Sequence, residues 1–158
     1  MKLLSYLLFS LILFGFSADE VRVYKGNSRF TSDVLFTLKD NRLYRKTSTF
    51  YSDIHCTIRD QKIYKGSATF SNDVLFTVRE GKVYRKNSSF SSDIILSFRE
   101  GKIYDGTSHF SSDVLANFRD GKMYRGNSTF TSDILYTIDG PVTQEAFIAI
   151  WISYYYVF

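Results

Sequence analysis

The chain has 158 residues, 44% of them apolar and 18% aromatic, with a formal charge of +4. That length supports one domain with a true core. A single Pro and a Tyr- and Phe-rich composition favour β structure, whose pleated, half-buried surface suits aromatic side chains. Cations alternate with Asp and Glu rather than forming a block, which argues against a nucleic-acid interface.

From the N-terminus, Lys2 and the apolar run Leu3 to Phe16 have the pattern of a secretory signal peptide. Gly15 and Ser17 place small residues at −3 and −1, so residues 1–17 are expected to be removed after Ser17. The alternative is an uncleaved membrane anchor. The expected location is secreted or periplasmic. Cys56 is the only cysteine, so no internal disulfide and no disulfide-linked partner are expected. It falls in a column otherwise filled by Phe36, Phe76, Leu96, Ala116 and Tyr136, and is expected to be a small buried apolar residue.

Residues 18–138 form one domain of six tandem copies, 20 residues each, without insertion or deletion. Tyr recurs at Tyr24, Tyr44, Tyr64, Tyr84, Tyr104 and Tyr124, and Phe at Phe30, Phe50, Phe70, Phe90, Phe110 and Phe130. Asp recurs at Asp33, Asp53, Asp73, Asp93, Asp113 and Asp133. Acidic-Gly pairs (Glu80-Gly81, Glu100-Gly101, Asp120-Gly121) between apolar runs predict two-residue type I′ hairpins. Asp40-Asn41 can do the same, Asp60-Gln61 is weaker, and Glu20-Val21 does not fit, which suggests a frayed first copy. Counting outward from Glu80-Gly81 sets Val78 opposite Val83, Thr77 opposite Tyr84 and Phe76 opposite Arg85. Strict alternation then puts Val74, Phe76, Val78 and Val83 on an apolar face, and Leu75, Thr77 and Tyr84 on the other.

One hairpin cannot bury its own apolar face. The fold class is therefore all-β, with six hairpin repeats in a ring or an open stack, and a β-solenoid as the alternative. In a solenoid the Asp residues would stack one strand apart, repelling by about 1 kcal/mol in water and about 3.5 at an effective dielectric near 20. Hairpins double the spacing and are preferred.

Residues 139–158 break the register. Thr143 is a helix N-cap candidate, with Glu145 favourable in the first turn. The run from Ala146 to Ile152 is apolar on every side, so the segment is read as a buried capping helix over the end of the repeat sheet. Its alternation from Ile148 to Phe158 also has the look of an outer-membrane barrel's closing strand, but the repeat strands are too short and too charged to span a bilayer.

The copies pattern as Tyr-x-Gly-x-Ser-x-Phe-x-Ser-Asp, and together with the acidic-Gly turns and the Thr143-to-Trp151 tail they resemble β-flower repeat proteins, whose hairpin petals surround an axis. In outline they are also similar to MORN repeats, although the second Gly-x-Gly of those is missing. The resemblance implies a fold and no known activity.

No metal-ligand spacing, phosphate-binding Gly loop or nucleophile-base pair is present, so no enzyme and no cofactor are expected. The candidate ligand-facing residues are the Asp column, six carboxylates able to line a mouth, and the Tyr column, able to stack on sugars. Each has a structural counterpart: a local side-chain-to-backbone bond for Asp and sheet-face packing for Tyr. The partial hydroxyl row Thr37, Thr57, Thr77 and Thr137 is too interrupted for an ice-binding plane. His55 and His109 occur in one copy each and are read as incidental. The functional expectation is a non-enzymatic exported repeat protein with a structural or binding role. The alternatives are a membrane-associated envelope protein and a carbohydrate-binding module.

Overall fold

The computed structural model describes residues 20–156. The expected signal peptide, residues 1–17, lies outside them. β1 (Val21–Lys25) is followed by five hairpins: β2–β3 (Val34–Lys39, Arg42–Arg45), β4–β5 (Ile54–Arg59, Lys62–Lys65), β6–β7 (Val74–Arg79, Lys82–Arg85), β8–β9 (Ile94–Arg99, Lys102–Asp105) and β10–β11 (Val114–Arg119, Lys122–Arg125). β12 (Ile134–Asp139) and helix α1 (Gln144–Tyr155) complete the chain.

The twelve strands close into one antiparallel barrel, so the ring is the answer among ring, stack and solenoid. Closure comes from β1 pairing with β12, which sets Val23 opposite Ile138 and Tyr24 opposite Thr137. That register repeats the one inside the other hairpins, where Val78 faces Val83 and Thr77 faces Tyr84. The sixth hairpin is thus built from the two ends of the domain and has no connecting turn. This is why Glu20-Val21 lacks turn chemistry. The first copy is not frayed, since Val21 and Val23 are buried. A closed ring also leaves no sheet edge exposed.

The hairpin turns follow the residues predicted for them. Both central residues have positive φ in Glu80-Gly81 (51° and 71°), and Asp60-Gln61 adopts the same turn at 51° and 60°. Strict alternation fails at one place. Tyr64 pairs with Val74 and Ile63 with Phe76, so a bulge takes up Leu75. The same bulge recurs between adjacent hairpins around the ring. It turns Leu35, Ile95, Leu115 and Leu135 toward the core. Val34, Ile54, Val74, Val114 and Ile134 pair instead with the Tyr column and lie outside the core cluster. Val74 and Leu75 therefore exchange the faces that counting assigns them.

A twelve-stranded barrel is too wide for its own side chains to fill. Helix α1, about 10–12 Å across with side chains, occupies the lumen. Cys56 on β4 lies by Ser153, and Tyr136 on β12 meets Tyr154 edge to face with ring centroids 5.0 Å apart. Phe98 on β8 and Phe118 on β10 both pack on Phe147, at 4.9 and 5.1 Å. Every residue from Ala146 to Ser153 is buried. The expected cap over an end is in fact a central pillar, because an all-apolar helix needs cover on every side. Thr143 caps it as predicted, its hydroxyl accepting from the Ala146 N–H at 3.2 Å. The helix shares one core with the barrel.

Candidate functional site

The two ends of the barrel differ. One carries the tight turns and the start of α1. The other carries the six eight-residue loops (26–33, 46–53, 66–73, 86–93, 106–113 and 126–133) and the end of α1. On each loop a short 3-10 turn ends at the Asp, as at Thr31–Asp33.

The Asp column is half-buried. Asp33, Asp53, Asp93, Asp113 and Asp133 each accept a hydrogen bond from the hydroxyl five residues earlier, Ser28, Ser48, Ser88, Ser108 and Ser128, at 2.5 Å. Those same hydroxyls accept from backbone N–H groups, as Ser88 does from Phe90 at 3.1 Å. The bonds from Ser108 and then Ser112 hold the Asp113 carboxyl below the usual carboxylate range. Five carboxylates are therefore loop struts.

The third copy breaks this rule. Ala68 stands in the serine column, so the Asp73 carboxylate lacks the hydroxyl that braces the other five and makes no side-chain hydrogen bond or ion pair among the described residues. Asp73 also lines a cleft of about 590 Å³. Lys65, Arg85 and Lys86 supply its positive wall and Leu75, Phe76 and Ile95 its apolar floor. Tyr156, at the end of α1, closes one side. Burial pushes the Tyr156 hydroxyl above the usual tyrosine range; Tyr155 and Asp105 add to this, and Arg85 opposes it.

Ala68→Ser is expected to restore the strut and raise stability by about 1 kcal/mol, whereas Ser88→Ala should lower it by about 1–2. Urea denaturation of both variants checks the opposite signs.

The cleft opens within a wider mouth. Lys25, Arg45, Lys65, Arg85, Asp105 and Arg125 end the strands that lead into the six loops, and all six are exposed. Five cations around the C-terminus of α1 complement the partial negative charge of that helix end.

The Tyr column lies elsewhere. Its six rings are 5–7% exposed, under the loops on the outer face of the barrel. Arg79, Arg99 and Arg119 sit over Tyr84, Tyr104 and Tyr124 at 5.2, 4.8 and 5.4 Å from the ring centres. Stacking a sugar on these rings would require the loops to lift away. The threonine row is committed to the backbone. Thr37, Thr57, Thr77 and Thr137 donate to the backbone carbonyls of Lys46, Gly66, Lys86 and Gly26 at 2.7–2.9 Å. Asn117 substitutes by donating to Gly126 O at 2.8 Å.

Burial pushes the Cys56 thiol up to about 12, with Ser153 partly offsetting it. Cys56 is expected not to react with a disulfide reagent in native protein at pH 8, and to react fully once unfolded. Fast native labelling would show that the lumen opens. His55 is held below the usual histidine range by burial and, second, by Arg45. No group of three metal-ligating side chains occurs among the described residues.

The Asp column was legible in the sequence, and its exception is marked there by Ala68 among the five serines of its column. The sequence alone left the Phe column without a place. These rings are the most exposed large apolar groups of the barrel, at 73–76%. No curated protein and no solved structure matches the chain. The ring of six hairpins around a central helix nevertheless agrees with a family model that spans most of the sequence, and on residues 23–151 the chain belongs to the 6-fold β-flower protein family.

Proposed function

We propose that this is an exported, non-enzymatic binding protein, and that its ligand is an amphipathic molecule held in the cleft of the third and fourth copies. The observation that carries this reading is the coincidence of one departure from six-fold repetition, Ala68 in the serine column, with a cleft of mixed charge and apolar lining. Asp73, the one unbraced carboxylate of the Asp column, faces the same 590 Å³ cleft as Lys65, Arg85 and Lys86, above a floor of Leu75, Phe76 and Ile95. A ligand with an apolar body, a carboxylate or phosphate, and a neighbouring hydroxyl or amine would satisfy the floor, the cations and Asp73 in turn. The β-flower family is not a known enzyme family, in keeping with a binding role. Lys2 and the apolar stretch from Leu3 to Phe16 support export.

Isothermal titration with a lysophosphatidylethanolamine and with an N-acyl serine tests the cleft. Binding should fall at least tenfold in Asp73→Asn and in Ile95→Trp, which fills the floor. Unchanged affinity in Ile95→Trp would remove the cleft from consideration. A mature N-terminus at Ala18 in the culture or periplasmic fraction tests export.

A further inference from the structure

We propose that the six phenylalanines of the loops dock this end of the barrel onto an anionic lipid surface. Phe30, Phe50, Phe70, Phe90, Phe110 and Phe130 are 74, 74, 76, 73, 74 and 73% exposed. Rings so open contribute little to folding, yet all six copies keep Phe. Packing explains the other constant columns: Tyr is buried beneath the loops, and five of the six Asp residues brace them. Packing likewise lets the helix-facing column vary through Phe36, Cys56, Phe76, Leu96, Ala116 and Tyr136. The Phe column is constant with no packing reason inside the molecule, so its reason lies in what the molecule touches.

The ring geometry narrows the partner. In a closed ring of equivalent hairpins, equivalent residues lie on one circle about the axis. A flat, laterally uniform surface presents the same chemistry to all six positions, whereas an ordinary globular partner has no matching six-fold symmetry. Charge narrows it further. Phe90 shares a surface groove with Arg85 and Lys86. The exposed charges that flank or lie in the loops are Lys25, Arg29, Arg45, Lys46, Lys65, Arg85, Lys86 and Arg125 against Asp105 alone, with Arg29 paired to Asp139, while the Asp column is half-buried. Two copies meeting face to face would bring like charges together; anionic headgroups would neutralise them. Phenylalanine is suited to the boundary between headgroups and acyl chains. Six shallow contacts on one rigid body act together, so weak insertion at each suffices. No helix among the described residues is long and apolar enough to cross a membrane.

Co-sedimentation with phosphatidylcholine vesicles, with and without phosphatidylglycerol, tests the inference. The protein should pellet with the anionic vesicles and much less with the neutral ones. Replacing Phe50, Phe90 and Phe130 together by Ser should reduce binding about tenfold or more, with an unchanged circular dichroism spectrum. In a second variant, Phe90→Trp, emission at the new indole should shift to the blue on adding anionic vesicles; the native Trp151 is buried and should not respond. Absence of binding by the unaltered protein, or equal binding by the triple variant, would overturn the inference. So would concentration-dependent self-association that the triple variant loses, since the occupant would then be a second copy. Ile95→Trp, which fills the cleft, should leave vesicle binding intact, which separates this inference from the proposed ligand site.

Discussion

Trp151→Ala is expected to lower the unfolding free energy by about 3–5 kcal/mol, the largest effect of any single side chain here. Trp151 is fully buried at the centre of the lumen and stacks on Tyr155 at 5.0 Å. The surrounding strands are tied into a closed ring and cannot collapse inward, so the cavity would persist. Its indole N–H has no partner among the described residues, so the loss is one of packing alone. Trp151→Phe should therefore cost only about 1–2 kcal/mol, because the ring is largely replaced and an unpartnered donor is removed. Guanidinium denaturation followed by circular dichroism checks both, since the only tryptophan is lost. A loss under about 1 kcal/mol in Trp151→Ala would mean that the helix is not the pillar of the fold.

The second large effect is at a turn. Gly81→Ala is expected to destabilise by about 2–3 kcal/mol, while Gly106→Ala should cost about 1. Both glycines have positive φ, 71° and 52°. They differ in what a β-carbon would meet. At Gly81 it would lie 2.6 Å from the Phe98 carbonyl oxygen, a backbone atom of the next hairpin. At Gly106 nothing lies within 4 Å. The Phe98 N–H also donates to the Gly81 carbonyl at 2.6 Å, so any shift to relieve the contact disturbs the join between neighbouring petals. Equal melting temperatures for the two variants would show that the joint is slack.

Much of the architecture was legible because the repeat is short and its turns are chemically explicit. Glu80-Gly81 set the hairpin register residue by residue, and Thr143 marked the start of the helix. The bulge was not legible. It depends on how one hairpin meets the next, and counting within a single copy contains no such term. The proposed site was legible only in part. The Asp column stood out, but its braced majority and its one exception are told apart by Ser28, Ser48, Ser88, Ser108 and Ser128 against Ala68, a column that draws no attention until the hydroxyls are seen on the carboxylates.

By itself, the sequence determined the local unit: β strands from aromatic and branched residues, type I′ turns from acidic-Gly pairs, and six equal copies from an unbroken period. Those are short-range properties, governed by φ, by alternation and by neighbouring hydrogen bonds. Only the tertiary structure decided that the copies close, that the last strand completes a hairpin with the first, and that the helix runs through the ring rather than over it. Closure depends on the summed twist of twelve strands and on the volume of the lumen, quantities that no single repeat carries. The variable column from Phe36 to Tyr136 records that outcome, since six equivalent slots face one helix that has no six-fold symmetry.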